Sequence, residues 1–327
     1  MRKMLLGLAV FSAISMLGTV WAIADAGCDQ CEATADGCGC DRWTASTDIL
    51  FLTRSNPRSA ELVTDPVGTP LINAADYHFG TATGIEFALT RHNVLGTCWD
   101  IEAIYTVVDS WNASIGTIHS PNGAVVRFIT ALGTLDPVDI SSTYRTDLHS
   151  IELNGKRPLG DRLTLIAGFR YLDLSEEGLA SIVGDPSLGD MPTSITAHNR
   201  LTGGQIGLDA KLLCCERFQL GSTIKAGVYN NDASNAASFT YLNVPLTKTS
   251  NASANQTAFV GELGFMAVYD VTCRLSLRAG YRLMWIDGVA LASNQIAVSD
   301  PDFNSAVVHT ADTLFYHGAT AGLEYRF

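Results

Sequence analysis

The chain has 327 residues, of which 47% are hydrophobic and only 17% charged, and its formal net charge is −12. Soluble domains carry about 25% charged residues, so this composition is apolar, yet beyond the first two dozen residues no apolar run reaches the roughly 18 needed for a membrane-spanning helix. The acidic balance excludes an electrostatic footprint for nucleic acid.

The N-terminus reads MRKMLLGLAVFSAISMLGTVWAIADAG. Arg2 and Lys3 precede an apolar core, and small residues around Ala24 fit a cleavage site, so residues 1–24 are read as a secretory signal peptide and set apart from the fold. An uncleaved membrane anchor is the alternative. Removing the peptide takes away two basic residues and no acidic ones, which moves the net charge from −12 to −14. Residues 25–42 form a short Cys-rich segment, and residues 43–327 are read as one β-barrel.

From Trp43 onward the pattern alternates with period 2, the signature of half-buried strands. Trp43–Arg54 is a weak first strand. In Phe79–Leu89, Phe79, Ile85 and Phe87 oppose Gly84 and Glu86. In Trp99–Val107, Ile101 and Tyr105 oppose Asp100, Glu102 and Thr106. Tyr144–Gly155 is the second weak strand, and a bulge is expected in each weak one, where the phase slips. Leu163–Tyr171 sets Arg170 against Phe169 and Tyr171, and Gln205–Leu212 sets Asp209 and Lys211 against Ile206 and Leu208. Lys225 alternates with Ile224 and Ala226 in Phe218–Val228, and Glu262 with Leu263 in Gln256–Tyr269. Arg274–Trp285 puts Arg274, Arg278 and Arg282 on one face and Leu277, Tyr281 and Trp285 on the other. The last strand, Ala311–Phe327, ends in AGLEYRF with Leu323, Tyr325 and Phe327 on one line.

Ten strands follow, or twelve if AVVRFIT, residues 124–130, forms an extra arm. Short turns at His92–Gly96, Lys156–Gly160, Leu213–Glu216 and Asp270–Cys273 alternate with long polar segments, Ser55–Asp76, Asp109–Thr143, Ser175–Thr196, Asn230–Asn255 and Ile286–Thr310. Short turns at one rim and long loops at the other are the layout of an outer-membrane barrel, with periplasmic turns and extracellular loops. The expected fold is therefore an all-β, antiparallel transmembrane barrel in the bacterial outer membrane, in contact with its lipid. Aromatic girdles are expected from Trp43, Trp99 and Tyr269 at the periplasmic interface and from Trp285, Tyr171 and Phe79 at the outer one. Leu323, Tyr325 and Phe327 form a terminal signal of the type read by barrel-assembly machinery.

Eight cysteines, Cys28, Cys31, Cys38, Cys40, Cys98, Cys214, Cys215 and Cys273, all fall at the periplasmic end of this topology. An even count in an exported protein favours disulfides, with the N-terminal segment stapled to the rim. The rival is a metal site. CDQC has a zinc-like spacing, but the CGC that follows does not match a second half, so no metal and no cofactor are expected.

The run LHSIELNGKRPLGDRLTLIAGFRYLDLSEE, residues 148–177, resembles a hairpin of the putative beta-barrel porin family of type 7. NRLTGGQIGLDAKLL, residues 199–213, resembles the family's next strand. The resemblance extends from about residue 43 to the end. It implies an outer-membrane barrel with a porin-like label and no catalytic residues.

The inward charges, Glu86, Asp100, Glu102, Arg170, Asp209, Lys211, Lys225, Glu262, Arg278 and Arg282, are the candidate functional set. Across an open lumen they would line a narrow passive channel for small solutes. Paired across a filled one, they would make a non-conducting structural barrel whose loops bind ligands. An enzyme is not expected. His309 with Asp312, and His198, stand near loop ends without a nucleophile, base and orienting group at fixed spacing.

Overall fold

The computed structural model describes residues 42–126, 137–184, 190–243 and 246–327. Its backbone is a ring of strands: β1 (Trp43–Arg54), β2 (Thr81–Arg91), β3 (Asp100–Ser120), β4 (Val138–Pro158), β5 (Leu163–Val183), β6 (Met191–Cys214), β7 (Phe218–Tyr241), β8 (Leu246–Asp270), β9 (Leu275–Val289) and β10 (Asp312–Arg326). Each pairs with its neighbours in sequence, and β10 pairs with β1 to close the barrel. The ring has ten strands, not twelve. Val125–Val126 instead pairs with Glu61–Thr64 in a small three-stranded sheet of the loops. The expected signal peptide, residues 1–24, and Cys28, Cys31, Cys38 and Cys40 lie outside the described residues.

The closing seam runs from Thr44 opposite Arg326 to Arg54 opposite Tyr316. Trp43 and Phe327 exchange both backbone hydrogen bonds at 2.9 Å, so the chain is held to its final residue. Tyr325 and Phe327 stack on the outside with ring centroids 6.1 Å apart. Inside the seam, Gly318 and Gly322 let the strands approach. A Cβ on Gly318 would collide with the Phe51 carbonyl oxygen, and one on Gly322 with that of Thr47.

An apolar belt faces outward. Ile49, Phe51, Ile85, Phe87, Ile101, Ile151, Phe169, Ile206, Ile224 and Leu277 are all exposed. Trp43, Trp99 and Tyr269 stand outward near the short turns, and Tyr171 and Trp285 point outward further along their strands. Phe79 is a correction. It precedes β2, is 7% exposed, and packs inside the loop end against Tyr144 at 5.4 Å.

Two of the expected long loops are mostly strand. β5 continues to Val183 before β6 starts at Met191, and β7 continues to Tyr241 before β8 starts at Leu246. Strands β3 to β8 have 21 to 25 residues, against 11 to 15 for β1, β2, β9 and β10. At about 3.3 Å per residue, the ten extra residues carry the wall roughly 30 Å further along the strand direction. In this extension the faces exchange character. Arg145, His149, His198, Arg200, Asn230 and Asp232 are exposed outside. Leu148, Leu172, Leu174, Leu201, Tyr229 and Phe239 are buried inside.

The exchange explains the two weak strands, where the expected bulges are absent. β1 pairs continuously with both its neighbours and β4 continuously with β5. The apparent slip in β1 is apolar residues on both faces, Ile49 to Leu52, and in β4 it is the change from inward Tyr144 and Leu148 to outward Ile151 and Leu153. The register shifts lie elsewhere, two of them in β3. The one between Val108 and Trp111 turns Trp111 inward, where its Nε1–H donates to the Leu52 carbonyl at 2.8 Å.

Gly318→Val should therefore destabilise the barrel by about 3 kcal/mol or more, because the clash is with backbone that cannot move without opening the seam. Ala319→Val, one residue on and facing lipid, should stay within about 0.5 kcal/mol. Denaturant unfolding in bilayer discs, with loss of the heat-modifiable band on gels, measures both.

Candidate functional site

The interior is built in levels, each supplied by strands from opposite walls. Nearest the short turns, Lys156 Nζ meets Glu102 at 2.6 Å and Asp209 at 3.4 Å. Arg278 bridges Asp48 at 3.1 Å and Glu324 at 2.8 Å. Arg326 reaches Glu324 at 3.0 Å and Asp270 at 3.2 Å. Above these lies a tighter cluster. Arg170 pairs with Glu262 at 2.7 Å, and Lys225 joins Glu262 at 2.9 Å to Glu152 at 2.8 Å. Gln205 donates to Glu152 at 2.7 Å, and Tyr229 donates to Gln205 at 3.1 Å. Arg282 forks onto Glu86, with Nη1 2.6 Å from Oε2, and Thr106 donates to the same carboxylate at 2.7 Å. Arg170 and Glu262 are 3% and 5% exposed, so both ions have exchanged water for each other and their neighbours.

An apolar level follows, with Leu52, Leu148 and Met284 beneath the Trp111 and Tyr316 rings, which lie 5.1 Å apart. One more ion pair stands above it. Arg54 meets Glu176 at 2.7 Å with neither side chain exposed, and its guanidinium lies 4.2 Å from the Phe79 ring centre. Tyr144 donates to Glu176 at 2.5 Å.

The loop end is then closed by backbone. The connection between β9 and β10 folds inward, and Val289, Ala290, Leu291 and Ala292 are 3% exposed or less. Buried peptide groups need partners, and side-chain amides on the walls supply them. Asn199 bonds both the amide and the carbonyl of Ala290, at 2.7 and 2.8 Å. Asn231 donates to Gly288 O at 3.0 Å, and Asn235 donates to Val307 O at 3.1 Å. The Ala292 amide donates to Glu176 at 3.0 Å, which ties this plug to the ion pair below it.

Of the residues singled out by sequence, Glu86, Glu102, Arg170, Asp209, Lys225, Glu262, Arg278 and Arg282 meet in these levels. Asp100 instead binds His92 at 2.9 Å in a short turn. Lys211 is exposed near the rim and makes no ion pair with a described residue. Alternation alone does not find Asp48 and Glu152, whose strands lack a clear phase, or Arg54 and Glu176, which lie beyond the apolar belt. Asn231 and Asn235 fall in the expected loop Asn230–Asn255, although their spacing already puts them on one face, and Asn199 opens the expected strand 199–213.

Cys98, Cys214, Cys215 and Cys273 all lie at the short-turn end; Cys98 is disulfide-bonded, whereas Cys214, Cys215 and Cys273 are free thiols. Among the described residues there is no cluster of His, Cys, Asp or Glu arranged for a metal ion. His309 stands 3.5 Å from Asp312, whose carboxylate also accepts from Asn294 at 2.6 Å. His198 meets the Ser175 hydroxyl at 3.1 Å on the outer surface.

The family model described as Putative beta barrel porin-7 (BBP7) matches residues 40–327. No curated protein matches the chain. Among solved structures it is similar to the outer membrane protease OmpT from Escherichia coli, at 12% identity and a TM-score of 0.51, over 87% of this chain and 96% of that one. The translocator domain of the autotransporter NalP from Neisseria meningitidis follows at 10% identity and 0.43, over 98% of both chains. The Pseudomonas putida toluene transporter TodX matches at 12% and 0.32, over 88% of this chain and 91% of that one. At such identities the OmpT match shows a shared fold and nothing about chemistry, and the lower-scoring two carry no argument.

Glu262→Gln strands two buried cations on the single carboxylate of Glu152. It should cost about 3–5 kcal/mol of stability. The double change Arg170→Met, Glu262→Gln should recover part of that loss. A double-mutant cycle by denaturant unfolding measures the coupling.

Proposed function

We propose that this chain, which belongs to the Putative beta barrel porin-7 family, is a non-conducting outer-membrane barrel that works through the wall and loops it raises beyond the bilayer. The observation behind this reading is the filled interior. Each inward cation above the rim lies against a carboxylate from another strand, so its charge is already spent on the protein. The apolar level and the amide-bonded plug then close the path twice more. The passive-channel reading has the porin label of the family behind it, and opposed charges are what a selective constriction uses. A solute would have to break several buried ion pairs to pass.

On this reading the ionic levels are structural ballast, and selection acts on the projecting rim. The partners are outer-membrane lipid along the belt and ligands at the loop end. Assembly machinery engages the terminal strand through Leu323, Tyr325 and Phe327, which face outward beside the seam. No reaction is assigned. The exposed His198 imidazole meets the Ser175 hydroxyl and that of His309 meets Asp312, and among the described residues neither pair has the third group that would complete a nucleophile, base and orienting set.

Single-channel recording in planar bilayers tests the reading. The refolded protein should give no discrete steps, and Arg278→Glu and Arg282→Glu should leave it silent. Regular steps in the unsubstituted protein, with an ion preference changed by Arg282→Glu, would establish the channel instead.

A further inference from the structure

At the loop end a cavity remains between three parts of the molecule. The β4–β6 wall contributes Ile140, Tyr144 and Ile195, the small loop sheet contributes Val63 and Ile72, and the plug contributes Ser293 and Ile296. Counted with the open solvent at its mouth the space is about 540 Å³, of which about 40 Å³ is free to the centre of a water-sized sphere. No charged side chain lines it.

The polar groups around it are almost all committed. The Tyr77 hydroxyl is bonded to Ser142 Oγ, which itself donates to the Leu179 carbonyl at 2.9 Å. Thr193 Oγ1 donates to the Ala180 carbonyl at 3.0 Å. Tyr144 donates to Glu176 and accepts from the Ser293 amide at 3.2 Å. The exception is Ser293 Oγ. The residue is 2% exposed, lines the cavity, and its hydroxyl has no hydrogen-bond partner. An unmade hydrogen bond on a buried hydroxyl costs about 1–3 kcal/mol.

The wall also makes room for a guest. Gly178 faces the cavity from β5, and a Cβ there would stand 3.2 Å from Ile195 Cγ2 and 3.8 Å from Tyr144 Cδ2. Any longer side chain would have to enter the space.

We infer that this cavity is a binding site for a compact, uncharged, largely hydrocarbon molecule with one hydroxyl group, which bonds Ser293 Oγ while its body packs on the aliphatic wall. The inference rests on the closed-barrel reading, because the plug that supplies Ser293 is what closes the mouth. It names the ligand class that the loop end takes.

Saturation-transfer NMR on the barrel in lipid discs tests it, with p-cresol and toluene as probes and a barrel of unrelated interior as the control for lipid partition. The unsubstituted protein should bind p-cresol saturably and more tightly than toluene. Ser293→Ala should weaken p-cresol binding about five- to tenfold, to the level of toluene, and leave toluene unchanged. Gly178→Leu, which fills the cavity from β5, and Ile195→Phe, which fills it from β6, should each remove saturable binding of both probes. Heat-modifiability on gels checks that each variant is folded. Absence of saturable binding to the unsubstituted protein overturns the site, as does binding that survives in either folded filling variant. A p-cresol preference that persists in Ser293→Ala overturns the role of that hydroxyl. If no probe binds while the barrel stays silent in bilayers, the site fails and the closed-barrel reading stands.

Discussion

Backbone amides and carbonyls have no water to bond in hydrocarbon, so every strand at the membrane must be paired on both edges. The seam between β1 and β10 answers that demand, and the rest of the molecule follows from it. Closure sets the glycines at Gly318 and Gly322, because two walls meet there at backbone distance. It holds Phe327 to Trp43, so the chain ends on an ordered aromatic. It also creates an interior, which in a ring of ten strands is narrow enough for side chains from facing walls to touch.

That interior is filled in two ways for one reason. At the level of the outer apolar belt, the inward residues are charged and paired. Beyond the belt, where the outer surface meets water, the inward residues are apolar and the outer ones polar. The barrel is thus lipid-facing with a polar core at one height and water-facing with an apolar core at the next. The transition falls between adjacent residues, at Tyr171 and Leu172 in β5 and at Val228 and Tyr229 in β7. Each pair has one apolar side chain outside and the next inside.

This inversion decides what was legible in the sequence. Strands were readable wherever the outward face alone was apolar, as in Leu163–Tyr171 and Phe218–Val228. Beyond the inversion the period of 2 persists, but Asn230, Asp232 and Ser234 outside and Asn231 and Asn235 inside give it little hydrophobic contrast, so strand passed for loop. In β1 both faces are apolar over several residues and in β4 the apolar side changes from inward Leu148 to outward Ile151, so in both the alternation looks like a slipped register. The bulge that turns Trp111 inward leaves a weaker trace, because Asp109 and Ser110 read as the start of a loop. The inward charges on β5 to β9 at the height of the apolar belt follow from parity, and Glu176, further along β5, does not. Glu152 and Asp48 do not either, since their strands have no clear phase to count from. The plug depends on contacts between residues far apart in the chain, such as Asn199 and Ala290, and no local pattern announces those.

Six consecutive strands rise past the bilayer and the four beside the seam do not. A plain cylinder looks the same from every direction in the plane of the membrane, and turning it about its long axis changes nothing. This molecule has a front and a back. A neighbour approaching across β4 to β7 meets a high polar face, whereas one approaching the seam passes over a low sill beside the folded-in loops. Rotation within the membrane therefore decides what each side of the protein can touch, and a crowded membrane will sort its neighbours by bearing as well as by distance.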